Sequence, residues 1–252
     1  MAAIPLKREE IEYPTSDGQP MAETSLHRRI MTDLIRGLED RYREAPDVWA
    51  GGNLFFYFEQ GRPQAVVAPD VLLVKGVQKW ERPTYKLWEE GRVPCLVVEV
   101  TSEHTRDEDL SKKKGIYRQL GVEEYFLFDP YGDYLEPRLQ GQRLEGSRYV
   151  PMVPMPDGSL ASSTTGLILR PEGERLRLID PVAGPLPWPE EMEAAQRAAE
   201  ERALRETAAR QATEQQVRLE VAARRAAEER TRALEEELAH LRAELDRKLR
   251  GG

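Results

Sequence analysis

The feature that most constrains the fold of this chain is residues 95–101, CLVVEVT, a segment that is apolar almost without interruption. A short run of this kind, rich in Val and Leu, is typical of a β-strand that is buried on both faces. Glu99 lies inside the run. Because a buried carboxylate is unfavourable unless it is paired or binds a cation, Glu99 is either a salt-bridged residue at a strand end or part of a functional site.

A second acidic residue, Asp70, lies in residues 65–74, AVVAPDVLLV, which we predict to be another strand. Pro69 in the middle of this strand indicates an edge position or a bulge. Asp70 and Glu99 would repel each other if adjacent and unpaired, and a divalent cation would remove that repulsion. Mg²⁺ in proteins is held by one or two carboxylates together with waters and phosphate oxygens. The pair therefore predicts a site that brings a metal ion to a scissile phosphate and activates the attacking water.

Lys113 is the candidate cationic residue. It lies four residues after Asp109 and four before Tyr117, in residues 106–120, which we predict to be a helix that ends at Gly121. At this spacing the three side chains share one helix face. A lysine on that face would reach a site at the end of the preceding strand and stabilise developing charge there. The alternative is that residues 112–114, KKK, form a solvated basic turn.

Helix and strand signals alternate through the rest of the first 185 residues. Apolar residues at positions 26, 30, 34 and 38 predict an amphipathic helix from Thr24 to about Arg43. The pair Gly51-Gly52 then interrupts the chain. We predict further strands at residues 53–59 and 124–129, and β-hairpins between about 133 and 180, where short apolar segments alternate with Gly, Pro and Asp.

The composition changes at residues 185–189, PLPWP, so we predict two domains, 1–185 and 186–252. After Pro189 the chain is rich in Ala, Glu and Arg and has no glycine or proline before Gly251, which favours a long helix. Leucines at 234, 238, 241 and 245 follow coiled-coil spacing, whereas the equivalent upstream positions are mostly alanine or charged. The tail is therefore either a coiled coil that makes a homodimer or a solvated helix held by i,i+4 Glu–Arg pairs.

Charge and cysteine content restrict the function further. Residues 1–185 carry a net charge of −6 and residues 186–252 a net charge of −2, so neither has the basic character of tight non-specific nucleic-acid binding. The single cysteine, Cys95, excludes an internal disulfide and predicts a buried thiol in a reducing compartment. Residues 1–13 lack the apolar core of a signal peptide, and no apolar run reaches the length of a membrane span. We therefore expect a cytoplasmic protein that does not enter a membrane.

Several of these residues together resemble a known family. The pattern comprises Pro69-Asp70, Glu99-Val100-Thr101-Ser102, Asp109, Lys113, Tyr117, Gly121-Val122, Glu124-Tyr125 and Asp129-Pro130. It is similar to the Uma-two family of predicted endonucleases, a branch of the PD-(D/E)XK restriction-endonuclease-like superfamily, over roughly residues 20–180. The resemblance implies an α/β (α+β) fold, with a restriction-endonuclease-like mixed β-sheet core that is flanked by helices. The long C-terminal helix or coiled coil follows this core.

The resemblance also implies a catalytic set of Asp70, Glu99 and Lys113. It implies an Mg²⁺ or Mn²⁺ ion held by Asp70, Glu99 and the main-chain carbonyl of Val100. The superfamily pattern places the lysine two residues after the glutamate, where this chain has Thr101. In this branch the lysine comes from the following helix, which is the placement of Lys113.

Further residues are expected around this site. His27 fits the early helix of the family. Glu23, at the entrance to that helix, either adds a carboxylate near the site or only favours the start of the helix. The supporting candidates are Glu23, His27, Thr101, Asp109 and Tyr117.

The leading hypothesis is an Mg-dependent deoxyribonuclease, an endonuclease that hydrolyses DNA by in-line attack of a metal-activated water. The alternative is a catalytically weak nuclease-like module that binds partners or assembles through its C-terminal helix. The complete Asp–Glu–Lys set favours the enzyme. The acidic net charge and the unusual placement of the lysine favour the module.

Overall fold

The computed structural model describes residues 11–16, 24–102 and 105–250, the last seven by their backbone only. It contains two compact units, Met1–Pro189 and Glu190–Gly252. The helices are α1 (Ser25–Arg41), α2 (Leu87–Glu90), a π-helix (Glu108–Lys113), α3 (Lys114–Leu120) and α4 (Pro189–Arg250). The strands are β1 (Val48–Gly51), β2 (Phe55–Tyr57), β3 (Val66–Val67), β4 (Val71–Lys75), β5 (Thr84–Lys86), β6 (Leu96–Val100), β7 (Glu124–Phe128), β8 (Leu139–Glu145), β9 (Arg148–Pro151), β10 (Leu160–Ala161), β11 (Ile168–Glu172), β12 (Arg175–Asp180) and β13 (Gly184–Pro185).

A six-stranded mixed sheet forms the centre of the first unit, with the strand order β1-β4-β6-β7-β8-β9. β6 and β7 run parallel, and the other neighbouring strands run antiparallel. All five residues of β6 are buried, as the apolar run predicted. Because successive side chains of a strand point to opposite faces, Val98 and Val100 join one apolar cluster and Val97 joins another. Glu99 points to the same face as Val97.

Helix α1 packs in the apolar cluster on the opposite face of the sheet from Glu99. It begins after Thr24, whose hydroxyl accepts a hydrogen bond from the main-chain N–H of His27 at 3.1 Å. Such an N-cap satisfies one of the free donors at a helix start. Ile30, Leu34 and Leu38 are buried in the same apolar cluster as Val98 and Val100 of β6. The prediction of an amphipathic helix here is confirmed.

The face of Glu99 is covered by the π-helix, α3 and a small three-stranded sheet, β3-β2-β5. Tyr117 of α3 and Tyr125 of β7 are fully buried there, with their ring centroids 5.3 Å apart. Leu110 of the π-helix packs against the same cluster. The mixed sheet with helices on its faces confirms the predicted fold class.

Two predicted elements are divided in the structure. Residues 65–74 form β3 and β4, which belong to different sheets, so the prediction of one continuous strand was wrong. Pro69 has no N–H to donate to a ladder, and the chain leaves one sheet and enters the other around it. Residues 106–120 are likewise not one α-helix, because a π-helix precedes α3. A π-helical turn is wider than an α-helical one, and such turns are frequent at functional sites.

The predicted hairpins after residue 133 are confirmed as β8–β9 and β11–β12, which close at the pairs Glu145–Arg148 and Glu172–Arg175. The first strand of these hairpins, β8, begins at Leu139.

A buried carboxylate ties the second half of the unit to the central sheet. Glu124 of β7 is inaccessible to solvent. It accepts hydrogen bonds from the hydroxyls of Ser162, Ser163 and Thr164 at 2.5, 2.8 and 2.7 Å. The Arg143 guanidinium lies 3.1 Å from Glu124 Oε1. Burial by itself raises the pKa of Glu124, but the hydrogen bonds outweigh burial and hold the pKa below its ordinary value.

The second unit is helix α4, which confirms that the tail is a long helix. Among the α4 side chains that the structure describes, i,i+4 ion pairs form between Arg205 and Glu201, Arg210 and Glu214, Arg224 and Glu228, and Arg232 and Glu236. Among the residues described here, no helix is both long and apolar enough to span a membrane. We propose that the boundary between the two domains lies after residue 185, where β13 ends.

Candidate metal and catalytic site

Asp70 is placed by the close approach of two main-chain segments. The main-chain N–H of Asn53 donates to the carbonyl oxygen of Pro69 at 2.8 Å. Asn53 itself has a left-handed backbone conformation, with a φ of 51°. A Cβ atom on Gly52 would lie 1.9 Å from the carbonyl oxygen of Asp70, so only glycine fits at this position. The end of β1 therefore holds Asp70 directly before β4, a role of Gly52 that sequence reasoning missed.

Glu99 is completely buried, and its two carboxylate oxygens have different partners. Oε1 accepts a hydrogen bond from the Tyr117 hydroxyl at 2.8 Å. Oε2 accepts from the main-chain N–H of Asp70 at 3.3 Å. In return, Asp70 Oδ2 accepts from the main-chain N–H of Val100 at 2.7 Å. The structure thus brings together the two carboxylates that the sequence singled out.

Lys113 reaches this pair from the π-helix. Its Nζ donates to Glu99 Oε2 at 3.0 Å and lies 2.9 Å from Asp109 Oδ1. Asp109 is buried, and its main-chain carbonyl accepts a hydrogen bond from the Tyr125 hydroxyl at 2.9 Å. Lys112 instead pairs with Glu108 on the exposed face, with Nζ 2.8 Å from Oε1. Of the three consecutive lysines, Lys113 is therefore the one that contacts the carboxylates.

The remaining candidates differ in how they relate to the site. His27 Nε2 lies 3.2 Å from Asp70 Oδ1, so α1 also contributes a side chain. Thr101 is buried on the same face of the sheet as Glu99, and its hydroxyl has no hydrogen-bond partner among the described residues. Glu23 lies outside the described residues.

The charges in the site are unbalanced. Three carboxylates, of Asp70, Glu99 and Asp109, surround one ammonium group. Burial raises the pKa of Glu99 to about 8, and the negative charges of Asp70 and Asp109 add to this rise while Lys113 opposes it. Burial also raises the pKa of Asp109.

The cation and the hydroxyl that contact Glu99 respond to the same charges. Burial by itself lowers the pKa of Lys113, but the carboxylates of Glu99 and Asp109 outweigh burial and raise the pKa above its ordinary value. The charged form of Lys113 is therefore favoured. Burial, followed by the charge of Glu99, raises the pKa of Tyr117 far above its ordinary value. Tyr117 therefore stays protonated and donates to Glu99.

The donor set fits a hard divalent cation. Asp70 and Glu99 offer carboxylate oxygens, and a second positive charge beside them would relieve the excess of negative charge. Within residues 11–16, 24–102 and 105–250, no group of three or more His, Cys, Asp or Glu side chains is arranged to hold a metal ion. A metal ion here would therefore depend on the two carboxylates together with main-chain or water oxygens.

Comparison with known proteins agrees with the predicted family. No curated protein matches the chain. A similar solved structure is that of "a putative nuclease belonging to DUF820" from Anabaena variabilis ATCC 29413, with 13% identity, a TM-score of 0.43, and coverage of 57% of this chain and 75% of that chain. The profile of the Uma2 family, described as "Putative restriction endonuclease", matches residues 2–170. Because that match spans more than half of the 252 residues, the chain belongs to the Uma2 family.

Proposed function

We propose that this protein is a metal-dependent endonuclease that hydrolyses phosphodiester bonds of DNA at Asp70, Glu99 and Lys113. The observation that carries the proposal is the contact between Lys113 Nζ and Glu99 Oε2, beside the Asp70 main chain. It brings the Glu99 carboxylate of β6 and the Lys113 cation of the π-helix to the main chain that carries Asp70. Membership of the Uma2 family supports nuclease chemistry at this point.

The partly exposed side chains of the site support a path by which a phosphate would enter. Glu99 is inaccessible, whereas the side chains of Asp70, His27 and Lys113 keep 15%, 11% and 12% of their surface exposed. A phosphodiester would therefore approach along these three side chains. The ammonium of Lys113 would stabilise negative charge that develops on the phosphate, and the neighbouring carboxylates, which raise its pKa, favour this charged form.

The surrounding residues keep the acidic groups in place. The Tyr117 hydroxyl and Lys113 fix the two oxygens of Glu99, while His27 and the Val100 N–H fix those of Asp70. Asp109 forms a second ion pair with the Lys113 ammonium, in addition to the pair with Glu99. Such fixed groups need little rearrangement during the reaction, which is the basis of electrostatic catalysis.

We propose that Asp70, Glu99 and the main-chain carbonyl of Val100 hold an Mg²⁺ or Mn²⁺ ion. When bound, the ion would lower the pKa of the attacking water and neutralise charge on the phosphate. The unbalanced carboxylates are the support for this assignment. We also propose that two copies of the chain associate as a homodimer through α4.

Cleavage of plasmid DNA, linear duplex and single-stranded RNA with Mg²⁺ or Mn²⁺ tests the proposal. We expect DNA cleavage, and we expect Asp70→Asn, Glu99→Gln and Lys113→Met each to lower the rate by about 100-fold or more. Lys112→Met is the matched control, because Lys112 pairs with Glu108 on the exposed surface. That variant should cleave at the wild-type rate.

Calorimetry with Mn²⁺ provides a second readout. We expect wild-type protein to bind the ion and Glu99→Gln to lose that binding. If no nucleic acid is cleaved and no binding depends on Glu99, the enzyme proposal fails. The binding or assembly module would then describe the protein better.

A further inference from the structure

The last part of α4 carries an apolar seam. Leu234, Leu238 and Leu241 are 54%, 52% and 56% exposed, and Leu245 continues their 4-3-4 spacing. This spacing places the leucines at alternating d and a positions of a heptad repeat. Leucines at every a and d position of two consecutive heptads form an apolar stripe that is suited to a partner helix.

The seam has a defined beginning. In the same register, the upstream a and d positions hold Thr231, Ala227, Arg224 and Glu220. Charged residues at a and d positions, such as Arg224 and Glu220, weaken the packing of a coiled coil. Arg224 instead pairs with Glu228 along its own helix, at 2.9 Å. Pairing is thus confined to residues 231–245.

The positions that flank the seam have complementary charges. With Leu234 at d, Arg230 and Glu237 occupy g positions, and Glu235 and Arg242 occupy e positions. In a parallel two-stranded coiled coil, each g residue meets the e residue five positions later in the partner. Arg230 would meet the partner's Glu235, and Glu237 would meet the partner's Arg242. Every pair is attractive, and symmetry makes each pair occur twice.

The four flanking residues are available for these contacts. Among the side chains that the structure describes in the tail, none of the four forms an ion pair along its own helix. The intrahelical pair in this stretch, Arg232 with Glu236 at 3.6 Å, uses the outer b and f positions. The charged residues beside the seam are therefore different from those that pair on the outer face of the helix.

An antiparallel arrangement would match the charges less well. There, residues at e meet e and residues at g meet g. With the leucine layers aligned, Glu235 would still meet the partner's Arg242, but Glu237 would meet the partner's Glu244. Half of the pairs would then be repulsive.

We propose that two copies of this chain pair through residues 231–245 as a parallel, in-register coiled coil. The proposal rests on the homodimer proposed above but not on the nuclease activity. Parallel pairing places the N-terminal ends of both tail segments at the same end of the seam. Residues 1–230 of both copies then precede the seam at that end.

Charge reversal in the full chain, followed by sedimentation equilibrium, tests both pairing and direction. We expect reversible dimerisation of the wild type. Glu237→Arg and Arg242→Glu should each weaken the dimer by about tenfold or more, because each creates two like-charge contacts. A mixture of the two variants should restore dimers, since each g residue then meets an opposite charge. Glu229→Arg, at the outer f position, makes the same change in charge and should leave dimerisation unchanged.

Two outcomes would overturn the proposal. If the wild type stays monomeric at all concentrations, residues 231–245 do not pair. If Glu237→Arg strengthens the dimer, the arrangement is antiparallel, because the new charge would then meet Glu244. Circular dichroism of each variant separates loss of pairing from loss of helix, and nuclease activity is not needed for any readout.

Discussion

Gly52 and Asp70 are in direct main-chain contact, so close that a Cβ atom on Gly52 would lie 1.9 Å from the carbonyl oxygen of Asp70. The neighbouring residue Asn53 donates its N–H to the carbonyl oxygen of Pro69 at 2.8 Å. These two contacts fix the position of the main chain at Asp70, the candidate metal ligand. Gly52 is therefore a positioning residue for Asp70.

We predict that Gly52→Ala moves Asp70 and damages the site more than the fold. Something must shift to admit the new methyl group, which destabilises the protein by about 1–3 kcal/mol. Urea unfolding measures that loss, and Mn²⁺ titration with DNA cleavage measures the effect on the site. We expect weaker metal binding and slower cleavage in protein that remains folded.

Gly115→Ala is the control for that experiment. Gly115 lies in α3, and a Cβ added there meets no atom within 4 Å. Alanine favours a helix over glycine by about 1 kcal/mol, so this variant should be as stable as the wild type or more stable. If the two variants behave alike, the contact between Gly52 and Asp70 has no special role.

Removal of Lys113 should destabilise the fold as well as stop cleavage. Lys113→Met would leave Glu99 and Asp109 as buried carboxylates without their cation. Breaking a buried ion pair by deleting one partner destabilises a protein by about 3–5 kcal/mol. Denaturant unfolding of the metal-free protein at pH 9 measures this loss, because the Glu99 carboxyl is largely ionised only above its raised pKa of about 8.

A double variant tests whether the loss of stability comes from the uncompensated charge of Glu99. Lys113→Met combined with Glu99→Gln removes one of the uncompensated charges, so it should be more stable than Lys113→Met alone. Lys112→Met should change stability by no more than about 0.5 kcal/mol, as expected for an exposed pair. Equal losses in the single and double variants would contradict the assignment of Glu99 as the main partner of Lys113.

The raised pKa of Glu99 predicts how the stability of the metal-free protein depends on pH. Because the folded state holds the proton up to a pKa of about 8, it binds protons more tightly than the unfolded state does. The contribution of Glu99 to stability is therefore greatest below the ordinary glutamate pKa and falls as the pH rises toward 8. The carboxyl of Asp109, whose pKa is also raised, acts in the same direction.

Thermal unfolding in EDTA at pH 6 and pH 8 measures this dependence. We expect a lower Tm at pH 8 for the wild type and a smaller difference for Glu99→Gln. Mg²⁺ should raise the Tm of the wild type more at pH 8 than at pH 6, since the ion binds the deprotonated carboxylates. Equal pH slopes for both proteins would exclude Glu99 as their origin.

The sequence predicted those parts of the fold in which one face of an element is uniformly buried. The spacing of Ile30, Leu34 and Leu38 revealed α1, and the apolar run around Glu99 revealed β6, because burial selects residue type at every position of such elements. The same logic identified Asp70 and Glu99, since an acidic residue stands out against an apolar background.

Features that depend on contacts between distant segments were not predictable in this way. Pro69 indicated an irregularity between β3 and β4, but the transfer of the chain to a second sheet depends on which strands neighbour each half, and the sequence does not show that. The contact of Gly52 with Asp70 arises from the pairing of β1 with β4. The π-helix was also missed, since the i,i+4 spacing of Asp109 and Lys113 is that of an ordinary helix.

Glu124 offers a prediction about the fold that is independent of the candidate site. Its carboxylate is buried and accepts hydrogen bonds from three consecutive hydroxyl residues, which hold residues 162–164 against β7. Glu124→Gln replaces an acceptor-only group by an amide that cannot accept all of these bonds. We expect a loss of about 2–3 kcal/mol in the free energy of unfolding near pH 7, measured with urea.

The pH dependence of that loss gives the sharper test. The pKa of Glu124 is lowered in the folded state, so its contribution is present above the ordinary pKa of about 4.3 and disappears as the pH falls below it. The difference in stability between wild type and Glu124→Gln should therefore shrink in acid. Glu123→Gln, at the exposed neighbouring position, should match the wild type at every pH. A difference between wild type and Glu124→Gln that stays constant into acid would mean that packing, and not the charge of Glu124, holds residues 162–164 in place.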